Sequence, residues 1–210
     1  MIVIVNYGLG NTGSILNMLK KIGEDVIIAS DAATIAKAEK LILSGVGAFD
    51  SGMRGLMELG IIELLSKKVI EQKTPVLGIC LGMQLFAKKS SEGCLPGLGW
   101  LNAEAVKFRL SDNDGALKVP HMGWNGIRQK KQSYLLDDMY DNTRFYFVHS
   151  YHLACNDRDD ILATTQYGVQ FVSAVQKDNI VGVQFHPEKS HKYGLKLLAN
   201  FARGDQNVRA

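Results

Sequence analysis

Val76-Leu77-Gly78-Ile79-Cys80-Leu81-Gly82 joins a short apolar run to a cysteine that stands between two glycines. The run is typical of a buried strand, and the form G-x-C-x-G is the cysteine counterpart of the nucleophile elbow, a sharp turn between a strand and a helix. The glycines leave room for that turn, because larger side chains would crowd the backbone. We therefore expect Cys80 at the end of a strand, followed by a helix from Leu81 to about Lys88 whose N-terminal amides favour a thiolate.

A second segment, Gln184-Phe185-His186-Pro187-Glu188, supplies a possible base for this thiol. Side chains alternate faces along a strand, so His186 and Glu188 are expected on one face. Glu188 could then accept a hydrogen bond from one ring nitrogen and leave the other to deprotonate Cys80. The pattern predicts a catalytic set of Cys80, His186 and Glu188. The alternative is a buried structural cysteine and a satisfied core histidine.

The rest of the chain predicts an α/β fold with an open, mostly parallel central sheet flanked by helices. In the first half, short apolar runs alternate with segments of helical spacing, which is the order of a parallel sheet with helices on its faces. The strands expected there are Ile2–Tyr7, Val26–Ala29, Lys40–Leu43 and Val76–Ile79. The second half is richer in strands and short turns, so antiparallel strands should extend the sheet before a closing helix. These elements are expected at Phe145–Leu153, Ile161–Tyr167, Phe171–Gln176 and Ile180–His186, with the helix near Gly194–Phe201.

Length and composition bound the class of protein. With 210 residues and 46% hydrophobic content, the chain can bury one sizeable core, so we expect one domain over residues 1–203 and a polar C-terminal tail over residues 204–210. A net charge of +3 without blocks of like charge gives no indication of nucleic acid binding, and no apolar run is long enough to span a membrane. The three widely spaced cysteines indicate neither a disulfide framework nor a zinc site. We expect a cytoplasmic protein without a metal or an organic cofactor.

One segment favours a different class of function. Gly8-Leu9-Gly10-Asn11-Thr12-Gly13 follows the first strand and opens a helix, which matches the dinucleotide-binding pattern G-x-G-x-x-G. Asp31, after the second strand, stands near the place of a ribose-binding acid. A Rossmann-type dinucleotide-binding protein is therefore the alternative from another class. It leaves the Cys80 elbow and the His186 segment unexplained, and the chain has little room for a separate substrate domain.

The two cysteine and histidine segments resemble known signatures. Gly78-Ile79-Cys80-Leu81-Gly82-Met83-Gln84 and Gln184-Phe185-His186-Pro187-Glu188 are similar to those of class I glutamine amidotransferases, whose glutaminase domain uses a Cys-His-Glu triad. Within that family, three further segments resemble the glutaminase subunits of imidazole glycerol phosphate synthases: Val119–Asn125, Phe145–Tyr151 and Ala174–Asn179. The resemblance covers about Ile2 to Phe201. The family also commonly carries a Tyr-Gly-x-Gly-Asn turn where the dinucleotide pattern is found here.

The resemblance implies an acyl-transfer reaction. The thiolate of Cys80 attacks the side-chain carboxamide of L-glutamine, ammonia leaves, and water hydrolyses the resulting glutamyl thioester to glutamate. The family's pattern puts the backbone donors of the oxyanion hole at Leu81, Val46 and Gly47. It puts the contacts to the amino-acid end of the substrate at Gln84, Ser150 and Tyr151.

The resemblance also implies a partner. In this family a (β/α)8-barrel cyclase subunit forms a heterodimer with the glutaminase and receives its ammonia. The cyclase makes imidazole glycerol phosphate and aminoimidazole carboxamide ribotide, which is a step of histidine biosynthesis. The positions that match the subunit interface are Asn11, His121, Met122, Trp124 and Lys189. Trp124 equally fits a partly buried core aromatic, whereas an exposed tryptophan would be a natural interface anchor.

Three positions depart from the family's pattern. Asn6, Gly13 and Ser44 stand where Asp, Arg and Pro are common. None belongs to the triad, but they keep open a paralogous glutaminase that feeds ammonia to another synthase, such as a surface-polysaccharide sugar amination system. Ser44 also leaves the loop at Val46 freer than proline would. We therefore expect the isolated subunit to be a poor glutaminase until a partner orders that loop.

Overall fold

The computed structural model describes residues 1–110 and 117–204. Within these ranges, eleven strands form one large sheet and two form a small one. The strands are β1 (Ile2–Val5), β2 (Val26–Ala29), β3 (Lys40–Gly45), β4 (Val76–Cys80), β5 (Lys89–Ser90), β6 (Ala103–Lys107), β7 (His121–Gly126), β8 (Arg128–Gln129), β9 (Arg144–His149), β10 (Tyr151–Cys155), β11 (Ile161–Tyr167), β12 (Val169–Lys177) and β13 (Ile180–Val183). The large sheet has the order β2-β1-β3-β4-β13-β12-β10-β6-β5, with β11 paired to β12 and β8, and the small sheet pairs β7 with β9.

The first half of the chain builds the parallel part of the large sheet, as predicted. β1 pairs in parallel with β2 and β3, β3 pairs with β4, and β4 pairs with β13. Every residue of β1, β3 and β4 is buried, which explains why these strands are mainly continuous apolar runs. The carboxyl ends of parallel strands share one edge, so Gly45 of β3 lies beside Cys80 of β4. Ligand sites of open α/β sheets form at this edge.

Helices cover both faces of the large sheet. In the described part of the chain they are α1 (Thr12–Lys21), α2 (Ala32–Ala36), α3 (Phe49–Glu58), α4 (Ile62–Ser66), α5 (Leu81–Gln84) and α6 (His191–Arg203), with a π-helical turn at Lys67–Glu71 after α4. Side chains alternate along each strand, so the two faces bury separate cores. Val3 and Val5 of β1 belong to the core that α3 covers, while Ile2 and Ile4 belong to the core that α1 and α6 cover.

The second half adds antiparallel strands, again as predicted. The prediction of one of these strands is wrong. β12 runs antiparallel to β10, β11 and β13. The expected single strand Phe145–Leu153 is two strands in different sheets, with Ser150 between them: β9 pairs with β7, and β10 pairs with β6 and β12. Residues that favour strands fill both pieces, so hydropathy alone does not mark the change of partner.

Two predicted boundaries differ beside the cysteine and histidine segments. The helix after Cys80, α5, is four residues long and ends at Gln84, so its dipole is smaller than that of the longer helix we expected. β13 ends at Val183 instead of His186. The chain leaves the large sheet there, because the backbone N–H of His186 donates to the carbonyl oxygen of Tyr146 in β9 over 2.9 Å.

The C-terminal region closes the fold. α6 begins at His191, three residues before the predicted start at Gly194, and continues to Arg203. Of the polar tail predicted over residues 204–210, only Gly204 belongs to the described part, and residues 205–210 lie outside it. Within the described ranges, no helix has both the length and the apolar character that a membrane crossing requires.

Candidate active site

Cys80 occupies a strained turn at the end of β4. Its φ of 53° and ψ of −109° lie in a region that residues other than glycine rarely adopt, as expected of a nucleophile elbow. A Cβ at Gly82 would overlap the backbone carbonyl oxygen of Leu43 in β3. Glycine at position 82 therefore lets α5 start immediately after the cysteine and pack directly against the neighbouring strand.

His186 and Glu188 form a buried pair. Nδ1 of His186 donates to Oε1 of Glu188 over 2.7 Å, and both side chains are only 1% exposed. The predicted route to this contact is wrong, because the two residues do not share a strand. Glu188 lies in a 3-10 turn, Pro187–Lys189, which folds the chain back so that the carboxylate meets the ring. Proline favours such a turn at its first position because its φ is already fixed.

The imidazole of His186 also lies close to Cys80. Nε2 of His186 is buried and makes no hydrogen bond of standard geometry within the described residues, yet the Cys80 sulfur is near enough to act on the ring. Burial lowers the pKa of His186, but hydrogen bonding and charge from Cys80 and Glu188 outweigh it and raise the pKa above its ordinary value. The arrangement therefore favours the protonated, imidazolium form of His186 beside the cysteine.

Two groups near the sulfur were not predicted as site residues. Gln184 is fully buried, and its side-chain amide donates to Sγ of Cys80 over 3.6 Å. The Tyr7 hydroxyl lies against Gly45, is buried, and has no hydrogen-bond partner within the described residues. Burial, followed by the charge of Cys80, raises the pKa of Tyr7. The position of Gln184, two residues before His186, was a signal that could have identified it. Tyr7 begins the Tyr-Gly-x-Gly-Asn turn, but that pattern does not predict a contact with the nucleophile.

The segment expected to form the oxyanion hole starts beside the nucleophile. Gly45 pairs with Cys80 across β3 and β4, and a Cβ at Gly45 would lie 3.1 Å from Cβ of Leu81. The loop that continues through Val46 and Gly47 is exposed, with Val46 48% exposed and Gly47 at a φ of 131°. Gly45, which leads into this loop, therefore adjoins the start of α5, next to the nucleophile.

The glycine-rich segment that suggested dinucleotide binding packs against the end of β3. Gly10 approaches the backbone of Ser44 so closely that its Cβ would lie 2.7 Å from the Ser44 carbonyl oxygen. Asn11 caps α1 by accepting a hydrogen bond from a backbone N–H three residues later, and Asp31 caps α2 in the same way. Close packing and helix capping thus account for this pattern.

Two of the residues expected to bind the substrate are joined by a hydrogen bond. Gln84 is buried at the end of α5, and its amide donates to the Tyr151 carbonyl oxygen over 2.9 Å and to Oε1 of Gln184 over 3.1 Å. Ser150 stands at the break between β9 and β10, and Tyr151 begins β10. Gln84 and Tyr151 are therefore in contact.

The expected interface residues divide into exposed and buried positions. Met122 and Trp124 on β7 are 61% and 41% exposed, and Lys189 is exposed with its ammonium 5.6 Å from the Tyr146 ring centre. Asn11, at the start of α1, is also exposed. His121 is only 2% exposed, because alternation along β7 turns it away from its neighbour Met122 and toward the interior. Its role at an interface stays a prediction.

A cavity of about 620 Å³ lies elsewhere. Its lining includes Lys40, Pro75 and Asn179, which stand at or just before the starts of β3, β4 and β13. It therefore opens at the edge of the sheet opposite Cys80. Within residues 1–110 and 117–204, no three His, Cys, Asp or Glu side chains are grouped as metal ligands would be.

Comparison with known proteins gives a consistent result. Residues 3–204 match the family model of class-I glutamine amidotransferases. The imidazole glycerol phosphate synthase subunit HisH 2 of Methanococcus maripaludis is 58% identical over 97% of this chain and 99% of that protein. The HisH 2 subunit of Pseudomonas aeruginosa is 47% identical over 96% of this chain and 98% of that protein. The structure of PurLQS from Thermotoga maritima has the same fold, with a TM-score of 0.70 at 16% identity over 96% of this chain and 97% of that chain. The chain belongs to the class-I glutamine amidotransferase family and is related within it to the HisH subunits of imidazole glycerol phosphate synthase.

Proposed function

We propose that this protein is a glutaminase subunit that hydrolyses L-glutamine to glutamate and ammonia with Cys80, His186 and Glu188. The supporting observation is the buried pair of His186 and Glu188, with a Glu188 oxygen 2.7 Å from Nδ1 of an imidazole close enough to Cys80 for the cysteine to raise its pKa. Family membership supports the same reaction. One domain, over residues 1–203, carries all of these groups, and residues 204–210 are its tail.

The reaction begins with Cys80 as a thiolate and His186 as an imidazolium. The sulfur attacks the carboxamide carbon, which gives a tetrahedral oxyanion. His186 then transfers its Nε2 proton to the nitrogen, the carbon–nitrogen bond breaks, and ammonia leaves behind a glutamyl thioester. The neutral ring next removes a proton from water, the resulting hydroxide attacks the thioester, and glutamate leaves as the thiolate re-forms. Glu188 keeps the ring in the orientation and tautomer that these transfers need.

Backbone donors stabilise the oxyanion in this proposal. The N–H groups of Leu81 and of the Val46–Gly47 loop are the candidates, since Gly45, which leads into the loop, adjoins the nucleophile. Removing one such donor typically slows a reaction by about 10² to 10³. Gln84, Ser150 and Tyr151 hold the amino-acid end of glutamine. The exposed loop favours low basal activity that rises when a partner orders it.

The ammonia goes to a second subunit. The relatives are named as subunits of imidazole glycerol phosphate synthase, so the proposed partner is a (β/α)8-barrel cyclase in a cytoplasmic heterodimer of histidine biosynthesis. Free ammonia is largely protonated in neutral water, and a protected route keeps it nucleophilic. Met122, Trp124, Lys189 and Asn11 are exposed and available for this contact. Free thiols at all three cysteines fit a reducing compartment.

Glutamate release tests the nucleophile. We expect Cys80→Ala to lower the rate by about 10³ or more, with or without the cyclase, because the proposed reaction forms its thioester on this sulfur. Cys94→Ala is the matched control, since Cys94 is an exposed thiol away from His186, and its rate should equal that of the wild type. Unchanged glutamate release from Cys80→Ala would remove the proposed reaction.

The same preparation identifies the acceptor. Both relatives are numbered HisH 2, and this favours keeping the paralogous alternative, in which the ammonia feeds another synthase such as a surface-polysaccharide sugar amination system. The chain is purified with its bound protein, and ammonia transfer to the cyclase substrate is measured. Formation of imidazole glycerol phosphate supports histidine biosynthesis. If no imidazole glycerol phosphate forms and a different synthase activates the glutaminase, the result supports the paralogous alternative.

A further inference from the structure

Two buried histidines lie beside the triad and have no place in the reaction above. Nδ1 of His149 is 2.8 Å from the Tyr151 carbonyl oxygen, and Nε2 of His149 is 3.1 Å from Nδ1 of His121. Nε2 of His121 is 3.4 Å from the side-chain amide of Asn125. Burial lowers the pKa of His121 to about 4 and that of His149 to about 3, so both rings are neutral near pH 7.

The hydrogen-bond directions in this cluster follow from one carbonyl group. The Tyr151 oxygen can only accept, so Nδ1 of His149 carries the proton and Nε2 accepts. Nδ1 of His121 must then carry its proton and donate to His149. Nε2 of His121 is therefore an acceptor, and it receives the amide of Asn125. The donors point from β7 toward β10.

The same carbonyl group connects the histidines to the nucleophile. The Tyr151 oxygen also accepts from Nε2 of Gln84 over 2.9 Å, and this amide donates to Oε1 of Gln184 over 3.1 Å. The oxygen of Gln184 thus faces Gln84, so its NH2 group faces Sγ of Cys80 over 3.6 Å. One buried chain of hydrogen bonds runs from β7 to the sulfur.

We propose that Gln184 is a further catalytic residue, whose amide stabilises the Cys80 thiolate, and that Gln84, His149 and His121 are positioning residues that fix its orientation from strand β7. A donor to the charged form of a group favours that form. Gln184 is fully buried, and His121 and His149 are nearly so, hence each hydrogen bond in the chain limits the freedom of the next. The consequence for catalysis rests on the proposed glutaminase function.

The chain of hydrogen bonds begins on β7, the strand that carries the exposed residues Met122 and Trp124. Met122 and Trp124 alternate with His121 along β7, so one face of the strand meets solvent and the other meets the histidines. A displacement of β7 on docking would shift the His121 donor relative to His149. The hydrogen-bond chain therefore offers a physical connection between partner binding and the reactivity of Cys80.

Alkylation of Cys80 by iodoacetamide tests the inference without glutamine. The tryptic peptide of residues 74–88 contains no other cysteine, so mass spectrometry follows this thiol alone. At pH 7 we expect Gln184→Leu to slow alkylation about tenfold, because the thiolate loses a donor. The nearly isosteric Gln184→Glu should slow it at least as much, since a carboxylate oxygen then faces the sulfur. Gln170→Leu, on an exposed glutamine of β12, is the matched control and should react like the wild type.

Two variants of His121 test the rest of the hydrogen-bond chain. His121→Asn keeps a donor close to the position of Nδ1, whereas His121→Leu removes it and leaves Nε2 of His149 unpaired. We expect the leucine variant to be alkylated severalfold more slowly and the asparagine variant to stay near the wild-type rate. Thermal unfolding identifies any variant that does not fold. If Gln184→Leu does not fold, the nearly isosteric Gln184→Glu provides the test of Gln184.

The outcomes separate this inference from the proposed function. Wild-type alkylation rates in both Gln184 variants would overturn the role of Gln184. Equal rates in His121→Leu and His121→Asn would overturn the hydrogen-bond chain and leave His121 a packing residue. Because iodoacetamide reacts with any accessible thiolate, absence of glutaminase activity would appear only in the glutamate assay and would leave these rates interpretable.

Discussion

A buried imidazole normally loses its proton, because burial disfavours the charged form. For His186, burial does lower the pKa, but Cys80 and Glu188 together raise it to about 10. The unfolded value is about 6.5, so the folded state holds this proton more tightly. The resulting stability is fully present below about pH 6.5 and is lost as the pH rises through the folded value.

Glu188→Gln tests this balance at nearly constant shape. The amide cannot stabilise the imidazolium as a carboxylate does, so the variant should unfold more easily than the wild type at about pH 6. The difference should shrink as the pH rises toward the folded pKa, because His186 then becomes neutral in both proteins. Denaturant unfolding over a pH series measures this difference, and Glu63→Gln, at an exposed position of α4, is the control. A difference independent of pH would contradict this account of His186.

The hydroxyl groups of Tyr7 and Tyr193 differ in their hydrogen bonding. The Tyr7 hydroxyl is buried without a partner in the described part of the chain, whereas that of Tyr193 donates to Oδ1 of Asn142 over 3.0 Å. Tyr7→Phe should therefore leave the free energy of unfolding unchanged or raise it. Tyr193→Phe should lower it by about 1 kcal/mol, since a formed hydrogen bond is lost. Thermal denaturation compares the two, and a larger loss for Tyr7→Phe would mean that its hydroxyl is bonded after all.

The strands differ in how far the sequence predicts them, and the difference has a physical cause. Buried parallel strands are continuous apolar runs with clear ends, so the predicted Lys40–Leu43 needed only two more residues to become β3. The run Phe145–Leu153 also consists largely of residues that favour strands, but its halves pair with different strands. Its division at Ser150 depends on β7 and β6, which are distant in sequence. Such pairing is a tertiary choice that local pattern does not record.

The candidate site shows the same limit. Spacing and residue type predicted that Glu188 would reach His186, and the two are indeed in contact. The expected strand is instead a 3-10 turn, because the backbone of His186 bonds to β9. His121 was predicted from resemblance as an interface residue, but it is buried. The hydrogen bonds between His121 and His149 arise from the pairing of β7 with β9, which the sequence pattern did not reveal.

The elbow between β4 and α5 depends on Gly82. Its Cβ would overlap the Leu43 carbonyl oxygen, and backbone cannot move aside as a flexible side chain can. Gly82→Ala should therefore lower the free energy of unfolding by about 3 kcal/mol or more, or prevent folding. Gly13→Ala in α1 is the control, because open space surrounds it, and it should raise stability by about 0.5 to 1 kcal/mol. Similar effects from both substitutions would show that backbone contact at the elbow is unimportant.

The pairing of the strands and the turn after β13 bring the exposed face of β7 close to the active site. Trp124 of β7 stacks on His191, the first residue of α6, with ring centres 5.6 Å apart and planes inclined by 5°. His191 follows directly after the segment that carries His186 and Glu188. A partner that contacts Trp124 would therefore touch two elements that also hold the triad and its hydrogen-bond chain.

Exposure of apolar groups gives the final prediction, which concerns assembly. Met122 on β7 and Met57 on α3 are both exposed methionines, at 61% and 43%, but they belong to different parts of the fold. If the proposed partner docks on β7, Met122→Ala and Trp124→Ala should each weaken binding of the cyclase about tenfold or more, as loss of an interface anchor does. Met57→Ala should bind like the wild type. Calorimetric titration of the cyclase measures the affinities, and iodoacetamide labelling of Cys80 in the free variants should remain normal. If all three variants bind the cyclase with the wild-type affinity, the partner binds elsewhere. Truncation of an anchor residue lowers the affinity, whereas truncation outside the contact does not.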